Sequence, residues 1–253
     1  MEFVDTHCHL QFKKYDDPGR VIADARTAGV TRLICVGTTL ADSHQAVAIA
    51  GQNENVWAAV GVHPHDVKSL DLGKTAAEVK ELLAKPKVVA IGEIGLDFYR
   101  NYSPRQDQIK ALQVQIEAGL ASDLPFIFHV REAFESFWPI FDSYPNLRGV
   151  VHSFSAGPKQ LDQILSRELY VGLNGIMTFT NNYAQLEAAK KVPLDKLVLE
   201  TDAPFLTPAQ ARGQTCEPKH ILLIAEFLAD LRGESVEELA SATTKNAREL
   251  FSI

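Results

Sequence analysis

Val88-Val89-Ala90-Ile91-Gly92-Glu93-Ile94-Gly95 is an almost wholly apolar run with one carboxylate inside it. A short run without polar alternation predicts a strand covered on both faces, as in a parallel sheet. Downstream, 105–121 carries Ile109, Leu112, Ile116 and Leu120 at helical spacing. The same alternation extends outward to both ends of the chain. Strands are predicted at 3–9, 32–37, 56–62, 88–95, 125–130, 148–153, 170–175 and 197–202. Helices are predicted at 20–28, 43–51, 76–84, 105–121, 134–143, 158–167 and 183–191. Eight strands, seven intervening helices and a helical tail are the rhythm of an α/β chain of the (β/α)8 TIM-barrel type. A doubly wound open sheet uses the same alternation, but the strand count favours the barrel. The tail divides at Arg232-Gly233-Glu234-Ser235, with Ser235 as N-cap and Glu238 at the capping-box position. With no linker, low-complexity segment or internal repeat, residues 1–253 read as a single domain with a C-terminal helical tail.

The 253 residues are 46% apolar and 23% charged, ordinary for a chain that buries a full core. No run of about 18 apolar residues occurs, so no membrane span is expected. The opening Met1-Glu2-Phe3-Val4-Asp5 lacks the basic start and apolar stretch of a secretory signal. Cys8, Cys35 and Cys216 are too few and too scattered for a disulfide framework or zinc ribbon, which predicts a reducing cytoplasm. A formal charge of −7 opposes tight nonspecific binding to duplex DNA. It permits a small footprint on nucleic acid, because bound divalent ions add positive charge where a phosphate sits.

In a barrel of this kind chemistry gathers at the C-terminal strand ends. His7 and His9 end the first predicted strand, and a spacing of two turns both imidazoles to one face. Glu93 ends the fourth, His129 the fifth, His152 the sixth and Asp202 the eighth. Each residue alone has an ordinary structural reading: a hydrogen-bonded histidine, an ion-pair carboxylate, a turn before Ala203-Pro204. His44, His65 and His220 lie outside the pattern. The coincidence of all six at predicted strand ends is what points to metal. Six N/O donors exceed what one catalytic zinc takes from protein. A pair of divalent ions uses them: His7, His9 and Asp202 for one, His129 and His152 for the other, Glu93 as bridge. Such a pair can hold a bridging hydroxide and stabilise displacement at phosphorus. Glu93 and Asp202 are therefore the catalytic candidates, Asp202 as proton acceptor. His63, Arg100, Arg131 and Glu200 are candidates for substrate contact, the arginines as phosphate clamps with Phe98 or Tyr99 to stack on a base. Nothing matches a Walker loop, a dinucleotide loop or a Gly-x-Ser-x-Gly elbow.

Several blocks in order, Phe3-Val4-Asp5-Thr6-His7-Cys8-His9-Leu10, Gly61-Val62-His63-Pro64, Gly92-Glu93-Ile94-Gly95-Leu96-Asp97, His129-Val130-Arg131-Glu132, Val151-His152-Ser153-Phe154 and Glu200-Thr201-Asp202-Ala203-Pro204, resemble the TatD family of metal-dependent deoxyribonucleases. The resemblance extends to Thr244-Lys245-Asn246 and Leu250-Phe251. It implies a TIM barrel of the metallo-dependent hydrolase superfamily with the six ligands named above. It also implies a 3′-to-5′ exonuclease on single-stranded DNA, with Mg²⁺ or Zn²⁺ as candidate metals. Histidine–carboxylate sets accept Zn²⁺, Mn²⁺ and Mg²⁺ to different degrees, and no membrane or obligate protein partner is expected. One departure is visible: Cys216 stands where the family usually has asparagine, which bears on the contacts of that loop. Two rival functions follow from the same residues. One is a related hydrolase of a carboxylic ester or amide, such as aminoacyl-tRNA; the other is a non-catalytic metal-binding scaffold.

Overall fold

Each apolar run becomes a strand, and each amphipathic stretch a helix. The computed structural model describes residues 1–253. In chain order the elements are β1 (Phe3–Cys8), α1 (Pro18–Thr27), β2 (Val30–Val36), α2 (Leu40–Gln52), β3 (Val56–Val60), α3 (Leu72–Leu83), β4 (Val88–Asp97), α4 (Arg105–Gly119), β5 (Phe126–Arg131), α5 (Phe134–Phe141), β6 (Gly149–His152), α6 (Pro158–Leu165), β7 (Tyr170–Leu173), α7 (Tyr183–Lys191), β8 (Leu197–Leu199), α8 (Ile221–Arg232) and α9 (Val236–Phe251). The eight strands form one sheet in the order β1 to β8. β8 returns to β1 through a parallel bridge between Cys8 and Ala203. This is the (β/α)8 TIM-barrel fold. No helix is long and apolar enough to cross a membrane.

Caps explain where helix starts differ from those read off periodicity. Asp17 accepts from the Arg20 N–H, Thr39 from Asp42 and Asp71 from Lys74, so α1, α2 and α3 each begin a few residues early. The tail breaks at Gly233, whose φ of +72 ends α8, and Ser235 caps α9 by accepting from the Glu238 N–H.

The chain divides into two compact units, Met1–Cys35 with Ser153–Ile253, and Val36–His152. In the first, β1 is buried at every residue. Helix α9 packs on β1 and β8 with Leu239, Leu250 and Phe251 buried. Its polar residues pin the strands beneath: Thr244 Oγ1 donates to the Glu2 carbonyl at 2.8 Å, and Asn246 Nδ2 donates to the carbonyls of Leu194 and Leu197 at 2.8 and 2.7 Å.

In the second unit β4 is buried along all ten residues. It continues to Asp97, two residues beyond the predicted stop, so Glu93 lies within the strand rather than at its end. The pairing of β4 with β5 shifts register between Ile91 and Ile94, at the glutamate. Only glycine fits at position 95, because a Cβ there would stand 1.9 Å from the His129 carbonyl oxygen. Helix α4 does not bury the face expected of it. Leu112 and Ile116 are interior, but Leu120 is 44% exposed, while Gln108 and Gln115 are buried. Their amides read backbone. Gln115 bonds both the N–H and the carbonyl of Val62, at 2.7 and 3.1 Å. Gln108 accepts from the Asp97 N–H at 2.8 Å and donates to the carbonyls of Asp97 and Ser103. Two glutamines thus fix the strand ends that carry His63 and Asp97.

Candidate metal centre

In the first unit the spacing of His7 and His9 brings their rings 4.9 Å apart, edge to face. Both Nε2 atoms approach Asp202 Oδ1, His9 at 3.3 Å and His7 at 3.9 Å. Asp202 lies beyond the end of β8, which stops at Leu199 rather than at the predicted 202. Its φ of +58 is the left-handed region, where aspartate is among the few tolerated side chains. The backbone nevertheless stays alongside β1: the Asp202 N–H donates to the His7 carbonyl at 2.9 Å, and the His9 N–H to the Ala203 carbonyl at 2.7 Å. Beneath the cluster sits Asp5, wholly buried. Its Oδ1 accepts from the His7 and Thr201 N–H groups at 3.2 and 3.0 Å, and its Oδ2 from the Thr201 hydroxyl at 2.6 Å. Burial pushes the Asp5 carboxyl up to about 7, with the Thr201 and His7 hydrogen bonds opposing the shift. Asp5 is the brace of this cluster, and Asp202 is the carboxylate that faces outward.

In the second unit three imidazoles converge on Glu93, which is 3% exposed. His129 Nδ1 lies 2.7 Å from its Oε1, His63 Nε2 at 3.4 Å and His152 Nε2 at 3.6 Å. The other nitrogen of His129, Nε2, reaches Asp97 Oδ2 at 3.1 Å, and His65 Nε2 meets the same oxygen at 2.8 Å. Asp97 Oδ1 accepts from the N–H groups of Tyr99 and Arg100 at 3.0 and 2.8 Å. Burial opposes a charge on His129, but hydrogen bonds to Asp97 and Glu93 outweigh it and raise its pKa. Burial also opposes the charge on Asp97, yet the two imidazoles and the Arg100 N–H hold its carboxyl well below the usual range. His63 goes the other way: burial pushes it down to about 4 against the pull of Glu93. Its Nδ1 accepts from the His65 N–H at 3.0 Å, so in the neutral ring the hydrogen sits on Nε2.

These donor sets fit a divalent cation. The ligating atoms of His7, His9 and Asp202 lie within 4.8 Å of one another, as do those of His63, Glu93 and His129. Imidazole nitrogen with carboxylate oxygen is the ligand chemistry of zinc and manganese, less so of magnesium. His129 Nδ1 and Glu93 Oε1, 2.7 Å apart, mark a place that a cation would take, with Asp97 fixing the ring from behind.

Within the first unit the structure brings His7, His9 and Asp202 together; within the second it brings His129 and His152 to Glu93. His63 joins the Glu93 group. Arg131, two residues after His129 on the same strand, stacks over the Tyr99 ring at 4.1 Å, with Arg100 at 5.3 Å. Tyr99 is 50% exposed, whereas Phe98 is buried under Arg105 and offers no open face. Glu200 is buried, accepting from the Ser153 N–H at 2.6 Å and from the Asn174 amide at 3.2 Å. Gly172 makes room for it, since a Cβ there would stand 2.4 Å from its carboxylate. Asp5, Asp97 and His65 were missed by the sequence reading. Asp97 had a usable signal, a second carboxylate in the apolar stretch that contains Glu93. Cys216 is buried, and its carbonyl accepts from the Tyr15 hydroxyl at 2.5 Å.

Parallel strands alternating with helices, with histidine–carboxylate clusters at their C-terminal ends, define a barrel-type metal-dependent hydrolase. The family model described as TatD related DNase matches residues 4–252, and the chain belongs to that family. It is 36% identical over 253 residues to a Bacillus subtilis protein named as an uncharacterized metal-dependent hydrolase, YabD, with 98% of each chain covered. It is 38% identical over 251 residues to the 3′-5′ ssDNA/RNA exonuclease TatD of Erwinia amylovora, with 96% of each covered. Among solved structures, the YjjV TatD homologue of Escherichia coli K12 superposes with a TM-score of 0.93 at 29% identity, covering 99% of this chain and 98% of its own.

Proposed function

We propose that the protein is a two-metal phosphodiesterase that removes nucleotides from the 3′ end of single strands, DNA first. The observation that carries this reading is the pair of histidine–carboxylate clusters, in a chain whose Erwinia amylovora relative is named for that activity. In this reading residues 1–253 are one domain, and each cluster serves a divalent ion. His7, His9 and Asp202 would hold one divalent ion and His129 and His152 a second, with Glu93 as a further carboxylate ligand; Zn²⁺, Mg²⁺ and Mn²⁺ are the candidates. Bound there, the ions supply Lewis-acid stabilisation of the phosphate and lower the pKa of water.

The remaining work falls to side chains. Asp202, 17% exposed, accepts the proton of the attacking water. His63 turns its Nε2–H toward a phosphate oxygen, its Nδ1 being occupied by the His65 N–H. Arg100 and Arg131 take phosphate oxygens, and Tyr99 between them takes a base. Glu200, buried in the first unit, holds the Ser153 N–H and the Asn174 amide. The net charge of −7 confines the footprint to a strand end. Three buried cysteines outside any disulfide fit a cytoplasmic setting.

The test is metal analysis of purified protein followed by a panel of single-stranded DNA, single-stranded RNA, duplex and aminoacyl-tRNA, with and without chelator. Two divalent ions per chain and chelator-sensitive release of 3′ nucleotides are expected. Glu93→Ala should lower metal content and rate together, and Asp202→Asn should lower the rate at least about tenfold. Hydrolysis of the aminoacyl ester alone would overturn the substrate. A metal-loaded protein that cleaves nothing on the panel would leave only a scaffold.

A further inference from the structure

Three residues beyond Asp202 stands Phe205, 39% exposed, a large apolar ring at the surface beside a ligand cluster. Its position is fixed from both sides. The Phe205 N–H donates to the Asp202 carbonyl at 2.9 Å, so ring and carboxylate belong to one turn. The ring meets Phe12 edge to face at 5.8 Å and His9 at 6.3 Å. Phe12 in turn lies parallel to the His9 imidazole, 4.8 Å away and tilted by only 11°. Lys14 places its ammonium over the Phe205 ring at 4.6 Å. The loop carrying Phe12 and Lys14 is held by its own turns, Phe12 N–H to the His9 carbonyl and Tyr15 N–H to the Phe12 carbonyl, and by the Tyr15 hydroxyl on the Cys216 carbonyl.

An aromatic ring that remains half in water next to a cation is the combination that single-strand binders use, a stacking face for a base with a positive charge for its phosphate. We propose that Phe205 and Lys14 form a nucleobase subsite for the nucleotide adjoining the phosphate held at the His7–His9–Asp202 cluster. The inference rests on the proposed function and adds to it how the strand end is gripped. A base that stacks on Phe205 replaces the ammonium over the ring and leaves Lys14 to pair with phosphate. A base still stacked in a duplex cannot reach the ring, so the subsite selects unpaired ends. His9 touches this aromatic wall directly, which couples base seating to the ligand.

The test uses steady-state kinetics of the metal-loaded protein on a single-stranded DNA oligonucleotide, and on the same oligonucleotide with an abasic 3′-terminal residue. Phe205→Ala should raise KM about tenfold on the intact strand and leave kcat within about threefold, and Phe205→Trp should restore it. On the abasic strand, wild type and Phe205→Ala should be alike. Lys14→Gln should lower the salt slope of binding, read by fluorescence anisotropy, by about 0.7. Equal KM for wild type and Phe205→Ala on the intact strand overturns the subsite. So does an equal loss on both strands, which would mark Phe205 as structural. Phe205→Leu, which keeps apolar bulk, separates stacking from folding, since it should lose KM without losing thermal stability. A wild type that neither cleaves nor binds the oligonucleotide overturns the proposed function and the subsite with it; a wild type that cleaves, unaffected by Phe205→Ala, overturns the subsite alone.

Discussion

At the residue scale, one carboxylate organises the cluster around His129 from behind. Asp97 accepts from the backbone of Tyr99 and Arg100 on one oxygen and meets His129 and His65 on the other. It therefore keeps the hydrogen of His129 on Nε2 and turns Nδ1 toward Glu93. Asp97→Asn preserves the acceptor for the loop but presents an amide N–H to His129, which reverses the tautomer. Metal affinity and rate should both fall about 10- to 100-fold while the fold persists, read by calorimetric metal titration beside circular dichroism. Affinity equal to wild type would show that the ring is oriented by something else. Asp5 plays the corresponding part under His7. Asp5→Ala leaves the His7 and Thr201 N–H groups buried without an acceptor and should cost about 2–4 kcal/mol in urea unfolding. Asp5→Asn keeps a carbonyl for both and should cost distinctly less.

At the scale of elements, polar residues on interior faces set positions that apolar burial leaves loose. Gln115 closes both backbone groups of Val62, the residue before His63. Gln115→Leu would bury that N–H and carbonyl unpaired, and should destabilise the protein by about 1–3 kcal/mol despite adding apolar volume. Chemical denaturation checks it, and a stabilised variant would contradict the role given to the amide. Helical periodicity assigns α4 correctly but mistakes its inner face. Leu120 turns outward at the end of the helix, and Gln108 and Gln115 turn inward. The reason is physical: a helix packed over strand ends must satisfy exposed backbone donors and acceptors as well as cover apolar surface.

At the scale of the molecule, metal and proton compete for the same ring. His129, with its raised pKa, is protonated in the metal-free protein up to a higher pH than an ordinary histidine. That protonation stabilises the metal-free fold below the ordinary histidine value, and the contribution is lost as pH rises through the raised one. Bound metal needs the neutral ring, so its stabilisation should grow over the same window. At a hundredfold excess over Kd, metal should contribute about 2.7 kcal/mol and raise Tm, and a chelator should reverse it. Differential scanning calorimetry at several pH values checks the trend; a metal-induced rise in Tm that shrinks as pH increases would contradict it.

The linear sequence by itself determined the alternation of eight strands with helices and showed His7, His9, Glu93, His129, His152 and Asp202 to lie in or just beyond strands. Both follow from local rules: apolar runs make covered strands, and a buried charge or imidazole demands a partner. Only the tertiary structure decided which groups share a proton or an oxygen. It drew His63 and His65 to Glu93 and Asp97, set Asp5 beneath His7, sank Glu200 into the lining and put Phe205 beside His9. Those outcomes depend on strand register, on the left-handed turn at Asp202 and on the glutamine pins, distances fixed by packing between segments remote in the chain.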